Sequence, residues 1–534
     1  MLRHLPLLGA LLLVLLLPLA LQPRGERPAA ADEETLVIVT PHNEAIRAEF
    51  GRAFSDDFEK RTGRRVRVDW RTPGGTSEIA RFLRSGYLAA FQHHWTSTLG
   101  ERWTNEVDKS WDNAKTTLGP DPASDTPAQQ ARRAFLASQV GVGIDLFFGG
   151  GAYDFIVQSA AGRLVSTGFV EEHPEIFGEA MIPAVVGGEP FWDKEGRWIG
   201  TCLSAFGIVA NRDALERRGI AEPPLQWHDL TSPRYFGGIA LANPTQSSSV
   251  NRSFEMLIQE QMLQQWKELG AIPENEERAR EEGWEAAMRM LMKIGANARY
   301  FTDSSTKIAL DVTAGDAAAG MTIDFYGRFQ SDAVREPDGS SRVHYVDAVG
   351  GTSTGADPIG MLRGAPHPEL AKAFIAFVMS EDGQKLWGWK VGTPGGPERY
   401  ALNRLPILTT LYAPKYAAFR TNPDVDPYQL ANAFTYHEKW TSPLFRTIAF
   451  IVRVMCIDPH EELQDAWAAL IANDFPPEAM RKFQNIEPVN YEAANGGIRK
   501  AVGDKLEEVR VAKLLADHFR AQYREAEALA NAKR

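Results

Sequence analysis

Short apolar strands alternate with amphipathic helices along most of this chain, and that alternation constrains the fold more than any other feature of the sequence. The β-branched run TLVIVT (35–40) is typical of a buried strand, and the apolar residues after it recur at every fourth position up to Gly63, as on one face of a helix. RRVRVDW (64–70) alternates like a second strand, and PGGTSEIARFL opens a second helix. This repetition predicts a largely parallel sheet.

The strand–helix units continue far beyond the length of one hydrophobic core. Further strands are predicted at 198–211, 237–244, 318–326 and 356–363, with helices between them. Two α/β lobes therefore fit the chain better than one sheet. Two regions fall outside the pattern: residues 86–140 are interpreted as an insertion with a surface loop, and residues 401–534 as a mostly helical C-terminal extension, whose simplest role is a helical wrap over the back of one lobe.

Residues 1–31 have the pattern of a secretory signal: Arg3 and His4, then an apolar run, then PAAA before DEE. The alternative is an uncleaved membrane anchor at about 5–22, because the run is nearly long enough to span a bilayer. Cleavage would remove three arginines and one glutamate, which changes the formal charge from −11 to −13. That acidity makes nucleic acid an improbable partner.

Small polar residues follow the predicted strands in five loops. In open α/β sheets, ligands bind beyond the carboxyl ends of the strands, where helix N-termini present free N–H groups to anions. For any single loop, helix capping is the better explanation, but five such loops in one chain are more than capping requires. The residues of these loops that we predict to bind a ligand are His42, Asn43, Gly75, Thr76, Ser77, Gly150, Thr245, Ser247, Ser248, Ser304 and Ser305.

The predicted strand AAGMTIDFY (318–326) ends on a carboxylate and a phenol instead of turn residues. Asp324 and Tyr326 are two positions apart, so a strand that continues through them directs both side chains to one side. We predict that both contact the ligand. The alternatives are that Asp324 pairs with Arg328 or caps the next turn, and that Tyr326 is a half-buried aromatic residue.

One motif fits a hydrolase: GTSTG (351–355) matches G-x-S-x-G, with Ser353 as the nucleophile. A nucleophile elbow needs a helix directly after the serine, whereas the following ADPIGMLRG is predicted to be a strand. A secreted serine hydrolase is therefore a minor alternative, and no catalytic residue is predicted. The two cysteines, Cys202 and Cys456, are too few for a disulfide framework or a thiolate metal site, and whether they pair is left open.

Five segments, in order, resemble the extracellular solute-binding proteins of ABC importers, in particular the ferric-iron-type branch, which also contains binders of phosphorylated and phosphonate-type organic anions. They are VIVTPHNEAIRAEFGRAFSDDFEKRTG, IDLFFGGGAYDF, PRYFGGIALANPTQSSS, AGDAAAGMTIDFYGR and GAPHPELAKAFIAFVMSEDGQKLW. The resemblance covers about residues 35–410, without the insertion. It implies an α/β type II periplasmic-binding fold, with two hinge-linked lobes that close over a ligand. Lobe one would comprise 32–190 and 356–400, and lobe two 191–355.

The resemblance also implies a function without covalent chemistry: a monomer in the periplasm that captures a small solute and delivers it to an ABC permease of the inner membrane. Retention through an uncleaved 5–22 segment would instead make the chain a membrane-tethered ligand sensor that signals through its helical tail. Finding the mature chain soluble, with its N-terminus near Asp32, would count against that alternative.

Two classes of ligand follow from the resemblance. Ferric-iron binders of the family use neighbouring tyrosines at the strand end that TIDFY resembles, because Fe(III) prefers anionic oxygen donors. Tyr326 matches the second tyrosine, Phe325 stands at the first, and Asp324 and His42 would be further ligands, with Fe(III) as transported ligand and no resident cofactor. The other class is an organic anion carrying phosphate, phosphonate or carboxylate, held by the N–H and hydroxyl groups of 75–77 and 247–249 and by Tyr326 and Asp324.

Overall fold

The computed structural model describes residues 33–532. The predicted signal segment, residues 1–31, and the alternative anchor at 5–22 lie outside the described residues. The strands are β1 (Glu34–Val39), β2 (Val66–Arg71), β3 (Leu146–Phe148), β4 (Leu164–Val165), β5 (Val185–Val186), β6 (Glu189–Pro190), β7 (Ile199–Ser204), β8 (Phe206–Asn211), β9 (Ile239–Ala242), β10 (Ala298–Thr302), β11 (Ala319–Ile323), β12 (Val343–Asp347), β13 (Gly355–Leu362) and β14 (Leu405–Pro406).

Helices fill most of the intervals between these strands and nearly all of the chain after β14. They are α1 (Glu44–Thr62), α2 (Thr76–His93), α3 (Asn105–Ser110), α4 (Pro127–Ala137), α5 (Ala152–Ala161), α6 (Phe169–Glu172), α7 (Arg212–Glu216), α8 (Ser248–Glu268), α9 (Glu276–Asn297), α10 (Ser305–Ala314), α11 (Asp324–Ala333), α12 (Pro368–Met379), α13 (Glu381–Gly388), α14 (Pro427–Ala431), α15 (Glu438–Thr441), α16 (Phe445–Val452), α17 (His460–Ala472), α18 (Pro477–Phe483), α19 (Tyr491–Ala493), α20 (Arg499–Val502) and α21 (Lys505–Asn531).

Two sheets organise the molecule into two lobes. The first-lobe sheet has the strand order β14-β7-β13-β3-β1-β2, with β4 also paired to β13, and the second-lobe sheet has the order β10-β9-β11-β8-β12. β1 and β9 each run parallel to both of their neighbours, whereas β13 and β8 pair antiparallel. The sheets are thus mixed, and the prediction of a largely parallel sheet is wrong in that respect. The prediction of two α/β lobes in a type II periplasmic-binding fold is confirmed.

The chain crosses between the lobes inside the stretch that was predicted to be one strand, 198–211. Its first half is β7 of the first sheet, its second half is β8 of the second sheet, and Ala205 separates them. The return crossing is 348–354, between β12 and β13. The second lobe therefore begins at Phe206 and not at 191. No pattern in the sequence marks this break, because both halves are buried and apolar.

The region 86–140 contributes to a hydrophobic cluster that it shares with the first-lobe sheet. Phe91 of α2 stacks on Trp111 with ring centroids 5.5 Å apart, and Trp111 meets Phe135 of α4 edge-on at 4.8 Å. The same cluster includes Phe147 and Leu362 of the first-lobe sheet, so the region packs on that sheet as part of the first lobe. The polar segment LGPDPASDT links α3 to α4.

The residues after 400 are divided between the lobes. β14 pairs with β7 in the first-lobe sheet, and apolar side chains as far as Tyr428 pack on the first-lobe core. From Phe434 onwards the chain packs into the second-lobe core, to which Trp440, Trp467 and Phe519 belong. The predicted boundary at 400 is therefore corrected: 401–428 is first lobe, and the helices after 434 are second lobe. β14 is too short to give a periodic signal.

Two further features concern the predicted anchor and the cysteines. Among the residues that the structure describes, one helical stretch, Glu438–Ile457, is long and apolar enough to cross a membrane by length and composition, and 72% of its most apolar window is buried inside the protein. Cys202 and Cys456 are both free and buried, one in the first-lobe core and the other in the second-lobe core. They do not pair.

Candidate ligand-binding site

A cavity of about 770 Å³ lies between the lobes. It opens at the carboxyl ends of the parallel strands of both sheets, which is where open α/β sheets place their ligands. All of the residues predicted to bind a ligand line it except Ser77 and Asp324. Ser77 lies at a contact between the lobes, with its Oγ 3.0 Å from Oγ of Ser248, so the lobes touch across the cleft in this structure.

Three helices begin at the cavity without a side-chain cap. The N-cap residues of α2, α5 and α10 are Gly75, Gly151 and Ser304, and no side chain of these residues bonds a backbone N–H of its helix. By contrast, Asn43 caps α1 through the N–H of Ile46, and Ser247 caps α8 through the N–H of Val250. The first turns of the three uncapped helices therefore keep unsatisfied N–H groups next to the cavity.

Glycines let the backbone approach closely on the first-lobe wall. Gly149 and Gly150 have φ angles of 89° and 113°, which residues with a Cβ atom rarely adopt. A Cβ atom at Gly149 would overlap the ring of His42, and one at Gly150 would overlap the methyl group of Thr76. The GGG segment after β3 is therefore required for the shape of this wall.

Asp324 does not reach the cavity, and the prediction that it contacts the ligand is wrong. The strand β11 ends at Ile323, and Asp324 is the first residue of helix α11. Its side chain is fully buried, accepts the N–H of Phe325 at 2.8 Å and lies 3.9 Å from Nε of Arg328. The alternative that the sequence allowed, a pairing with Arg328, is present only as this 3.9 Å contact, because Oδ2 of Asp324 has no hydrogen-bond partner and Arg328 donates to Asp347. A helix that starts at Asp324 turns Phe325 and Tyr326 towards the cavity instead.

Replacing Asp324 by Asn is expected to flatten the pH dependence of stability. Burial raises the pKa of Asp324 to about 7, so the folded protein holds this proton more tightly than the unfolded chain does. The resulting stabilisation is complete below about pH 4 and is lost as the pH rises through about 7. Urea unfolding should show the wild-type free energy of unfolding fall by about 2 kcal/mol more than that of Asp324→Asn between about pH 5 and about pH 8.

The half-buried carboxylate Asp332, which is paired with Arg335 on the same helix, provides the control for this experiment. Asp332→Asn should keep the pH profile of the wild type. If the free energies of unfolding of Asp324→Asn and wild type change in parallel across this pH range, the raised pKa of Asp324 would be contradicted.

Tyr326 is half-buried and lines the cavity beside Thr306. Burial raises the pKa of its phenol, although a hydrogen bond with Thr306 opposes the shift. The phenol is therefore protonated at neutral pH and can donate a hydrogen bond. Phe325 also lines the cavity, and the guanidinium of Arg404 lies 3.9 Å from the centre of its ring.

Arg404 is a residue of the cavity that sequence reasoning missed. It is 1% exposed, forms an ion pair with Asp357 of β13, and donates from Nη1 to Nε2 of His42 at 3.2 Å. Burial acts to lower the pKa of Arg404, but the charge of Asp357 outweighs it and raises the pKa. No local motif marks this arginine, because Asp357 and His42 are distant from it in sequence.

The contacts of His42 decide what its ring can do. Burial, followed by the charges of Arg404 and Arg47, lowers the pKa of His42 well below its usual value, so the imidazole is neutral. Nε2 accepts from Arg404, and Nδ1 is buried and bonded to no protein atom. His42 shapes the first-lobe wall: Nε2 is occupied by Arg404, and Nδ1 is enclosed by the protein.

A polar cluster joins the lobes at one side of the cavity. Glu189, in the β5–β6 hairpin of the first lobe, forms an ion pair with Arg252 of α8 in the second lobe. Arg252 also contacts Glu255 at 2.5 Å. Ser353 donates to Glu189 at 2.5 Å and lies 3.1 Å from Sδ of Met256, with β13 beginning two residues later. The hydroxyl of Ser353 is thus engaged with a carboxylate, which is not the arrangement of a nucleophile elbow.

The two-lobed fold and its interlobe cavity define a solute-binding protein. Residues 143–422, just over half of the chain, match the family described as bacterial extracellular solute-binding protein. The chain belongs to this family. The match includes the crossings between the lobes at 205 and at 348–354, and it ends before the helices that complete the second lobe.

Two curated relatives resemble part of the chain. The phosphoglycerate transport regulatory protein PgtC of Salmonella typhimurium is 25% identical over 188 residues, which is 35% of this chain and 40% of the relative. An uncharacterized protein of Haemophilus influenzae is 24% identical over 249 residues, which is 46% of this chain and 61% of the relative. The chain thus spans about two fifths and three fifths of the lengths of these relatives.

Solved structures of periplasmic binding proteins are also similar. AfuA of Actinobacillus pleuropneumoniae, with fructose-6-phosphate bound, is 15% identical and covers 82% of this chain and 98% of its own, with a TM-score of 0.46. Iron-bound HitA of Pseudomonas aeruginosa is 14% identical and covers 78% of this chain and 99% of its own, also with a TM-score of 0.46. These values are too low for any feature of those proteins to be transferred to this chain.

Proposed function

We propose that this protein is the periplasmic substrate-binding component of an ABC importer and that its solute is a small phosphorylated organic anion. The observation that carries the proposal is the uncapped N-terminus of α10 on the second-lobe wall of the cavity, beside the hydroxyl groups at the start of α8. Closure of the two lobes over the solute would present a shape that a permease can recognise.

The second-lobe wall suits the phosphoryl group. Ser247 and Ser248 lie at the start of α8, Ser305 and Thr306 at the start of α10, and the phenol of Tyr326 is nearby. Helix N-termini and hydroxyl donors bind phosphate oxygens favourably, because backbone N–H groups and the helix dipole point at the anion.

The first-lobe wall suits the hydroxylated body of the same solute. Asp154, at the start of α5, accepts a hydrogen bond from Thr76, and burial raises its pKa to about 6. A carboxyl group here would repel a phosphate but can accept hydrogen bonds from sugar or glycerate hydroxyls. Glu78 is paired with Arg81 on the same wall. The two walls together favour a solute with a phosphate at one end and hydroxyls at the other.

The donor set gives less support to ferric iron. Fe(III) prefers phenolate and carboxylate ligands, yet the pKa of Tyr326 is raised by burial, Phe325 has no donor atom, and Asp324 is buried away from the cavity. Within residues 33–532, no three or more His, Cys, Asp or Glu side chains are grouped so that they could hold a metal ion. The partial similarity to a protein named for phosphoglycerate transport also favours a phosphorylated solute.

A melting-temperature panel tests the proposal. It would contain 3-phosphoglycerate, glycerol 3-phosphate, fructose 6-phosphate, the matching unphosphorylated compounds, and ferric citrate. A phosphorylated solute at 100 times its Kd should stabilise the protein by about 2.7 kcal/mol, and its unphosphorylated counterpart should not. Stabilisation by ferric citrate alone, with a visible absorption that Tyr326→Phe abolishes, would overturn the proposal in favour of iron.

Tyr326→Phe is expected to weaken binding of the phosphorylated solute by about tenfold or more, because a hydrogen bond to a charged group contributes about 1.5–3 kcal/mol. Isothermal titration calorimetry measures the change. Tyr400→Phe is a matched control, since Tyr400 is 39% exposed and outside the cavity. Equal affinities for wild type and Tyr326→Phe would remove this phenol from the site.

A further inference from the structure

The chain beyond the region that matches the family contributes to the cavity. The match ends at residue 422, but Tyr436, Glu438, Ser442 and Phe445 line the cleft. These residues come from the segment 434–445, which we call the cleft segment. Family membership alone therefore does not account for this side of the site.

The cleft segment is attached to the first lobe through its start. The N–H of Tyr436 donates to the carbonyl of Gly187 at 2.7 Å. Gly187 and Gly188 have φ angles of 55° and 82°, and a Cβ atom at either would overlap carbonyl oxygens of the residues 431–436. The β5–β6 hairpin thus accepts this backbone only because it carries two glycines.

The rest of the cleft segment is attached to α8 of the second lobe. Gln259 donates to the carbonyl of His437 at 2.8 Å and to Oγ1 of Thr441 at 2.7 Å. Asn251 donates to the carbonyl of Phe445 at 2.7 Å. Both α8 side chains are buried, so these bonds are protected from water.

The segment also supports the ion pair that joins the lobes. The guanidinium of Arg252, which pairs with Glu189, lies 4.1 Å from the centre of the Tyr436 ring. The hydroxyl of Tyr436 donates to Glu255 at 2.9 Å, and the hydroxyl of Thr441 donates to the same oxygen at 2.5 Å. Tyr436 and Thr441 thereby provide hydrogen bonds to Glu255, and Glu255 is paired with the same arginine, Arg252, as Glu189 of the first lobe.

One aromatic pair spans the cleft directly. Phe445 contacts Tyr153 of the first-lobe helix α5, with ring centroids 4.7 Å apart. Phe445 is 8% exposed and is not part of the second-lobe core cluster. Because the two rings belong to different lobes, their contact exists only when the cleft is closed.

We propose that the cleft segment is a built-in part of cleft closure, in which the Phe445–Tyr153 contact stabilises the closed form and Tyr436 holds Arg252 for its pair with Glu189. The inference rests on the proposed function only in taking the cavity as the solute site. Residues beyond 422 then set how long a bound solute is retained. They also form a wall against which the solute must fit.

The test measures closure without any solute. In a Ser77→Cys, Ser248→Cys background, the rate of disulfide formation in oxidised glutathione is proportional to the closed fraction, because the Oγ atoms are 3.0 Å apart only across the closed cleft. Adding Phe445→Ala or Tyr153→Ala should slow the reaction about three- to tenfold, which is the effect of losing an aromatic contact. Phe445→Ala and Tyr153→Ala together should slow disulfide formation no further than the stronger of the two single variants, because both remove the same contact.

Two controls separate closure from folding. Phe445→Leu keeps an apolar side chain at the start of α16 and should slow the reaction with little change in melting temperature. Leu514→Ala, at a 59% exposed position of α21, should change neither the rate of disulfide formation nor the melting temperature. Unchanged rates in Phe445→Ala and Tyr153→Ala, or fully additive effects, would overturn the inference. Failure of the whole solute panel would instead overturn the proposed function and leave the cross-linking result standing.

Discussion

Oxidation of a Ser77→Cys, Ser248→Cys variant is expected to slow solute binding about 100-fold or more, since a disulfide would hold the open form at or below about 1% of the population. The two side chains come from opposite walls, one at the start of α2 and the other at the start of α8, with Oγ atoms 3.0 Å apart. A disulfide at this position closes the path by which a solute reaches the cavity.

The chain offers a clean background for this experiment. Cys202 and Cys456 are buried, and burial raises the pKa of both thiols, so neither competes for the oxidant. Stopped-flow binding of the phosphorylated solute that most raises the melting temperature would be compared before oxidation, after oxidation and after reduction. The single cysteine variants are the controls. Binding that is equally fast in the oxidised protein would show that solutes do not enter between these helices.

Arg404→Met is expected to lower the free energy of unfolding of the first lobe by about 3–5 kcal/mol, because it leaves the buried carboxylate of Asp357 without its partner. The guanidinium also donates to His42 and covers the ring of Phe325. Since both residues line the cavity, removing the guanidinium also removes contacts that hold the cavity wall. Urea unfolding followed by tryptophan fluorescence measures the change, since Trp387 lies 5.5 Å from the guanidinium.

A double variant separates the effect of losing the Arg404–Asp357 ion pair on stability from the effect of losing the packing of the Arg404 side chain. Replacing both residues, as Arg404→Met with Asp357→Leu, should recover part of the lost stability, because no uncompensated charge then stays buried. Arg81→Met, at an exposed position of the same cavity, should change stability by about 0.5 kcal/mol or less. A loss below about 1 kcal/mol in Arg404→Met would contradict the view that this pair holds the first-lobe wall.

The loops of the candidate site could be predicted because their position follows from local rules. A small polar residue between a strand and a helix lies at the carboxyl edge of a sheet, whichever sheet the strand joins. For this reason Thr76, Ser247 and Ser305 reach one cavity although they are far apart in sequence. Predicting that they converge required only the alternation of strands and helices in the sequence.

The parts that were missed depend on long-range contacts or on single residue boundaries. Whether Asp324 ends a strand or begins a helix changes where its side chain points, and an aspartate is favourable in the first turn of a helix. Arg404 and Tyr436 reach the cavity only through pairing with β7 and packing on α8, and neither leaves a periodic trace in the sequence. The change of lobe at Ala205 is hidden within one apolar stretch.

The course of the backbone between the lobes has a consequence for how motion can be observed. The chain passes from one lobe to the other at 205, at 348–354, and again between Tyr428 and Phe434. Three passages are an odd number, so β1 and α21 belong to different lobes. Fluorophores attached near residues 33 and 532 would therefore report the separation of the lobes as energy transfer, and neither label would touch the cavity.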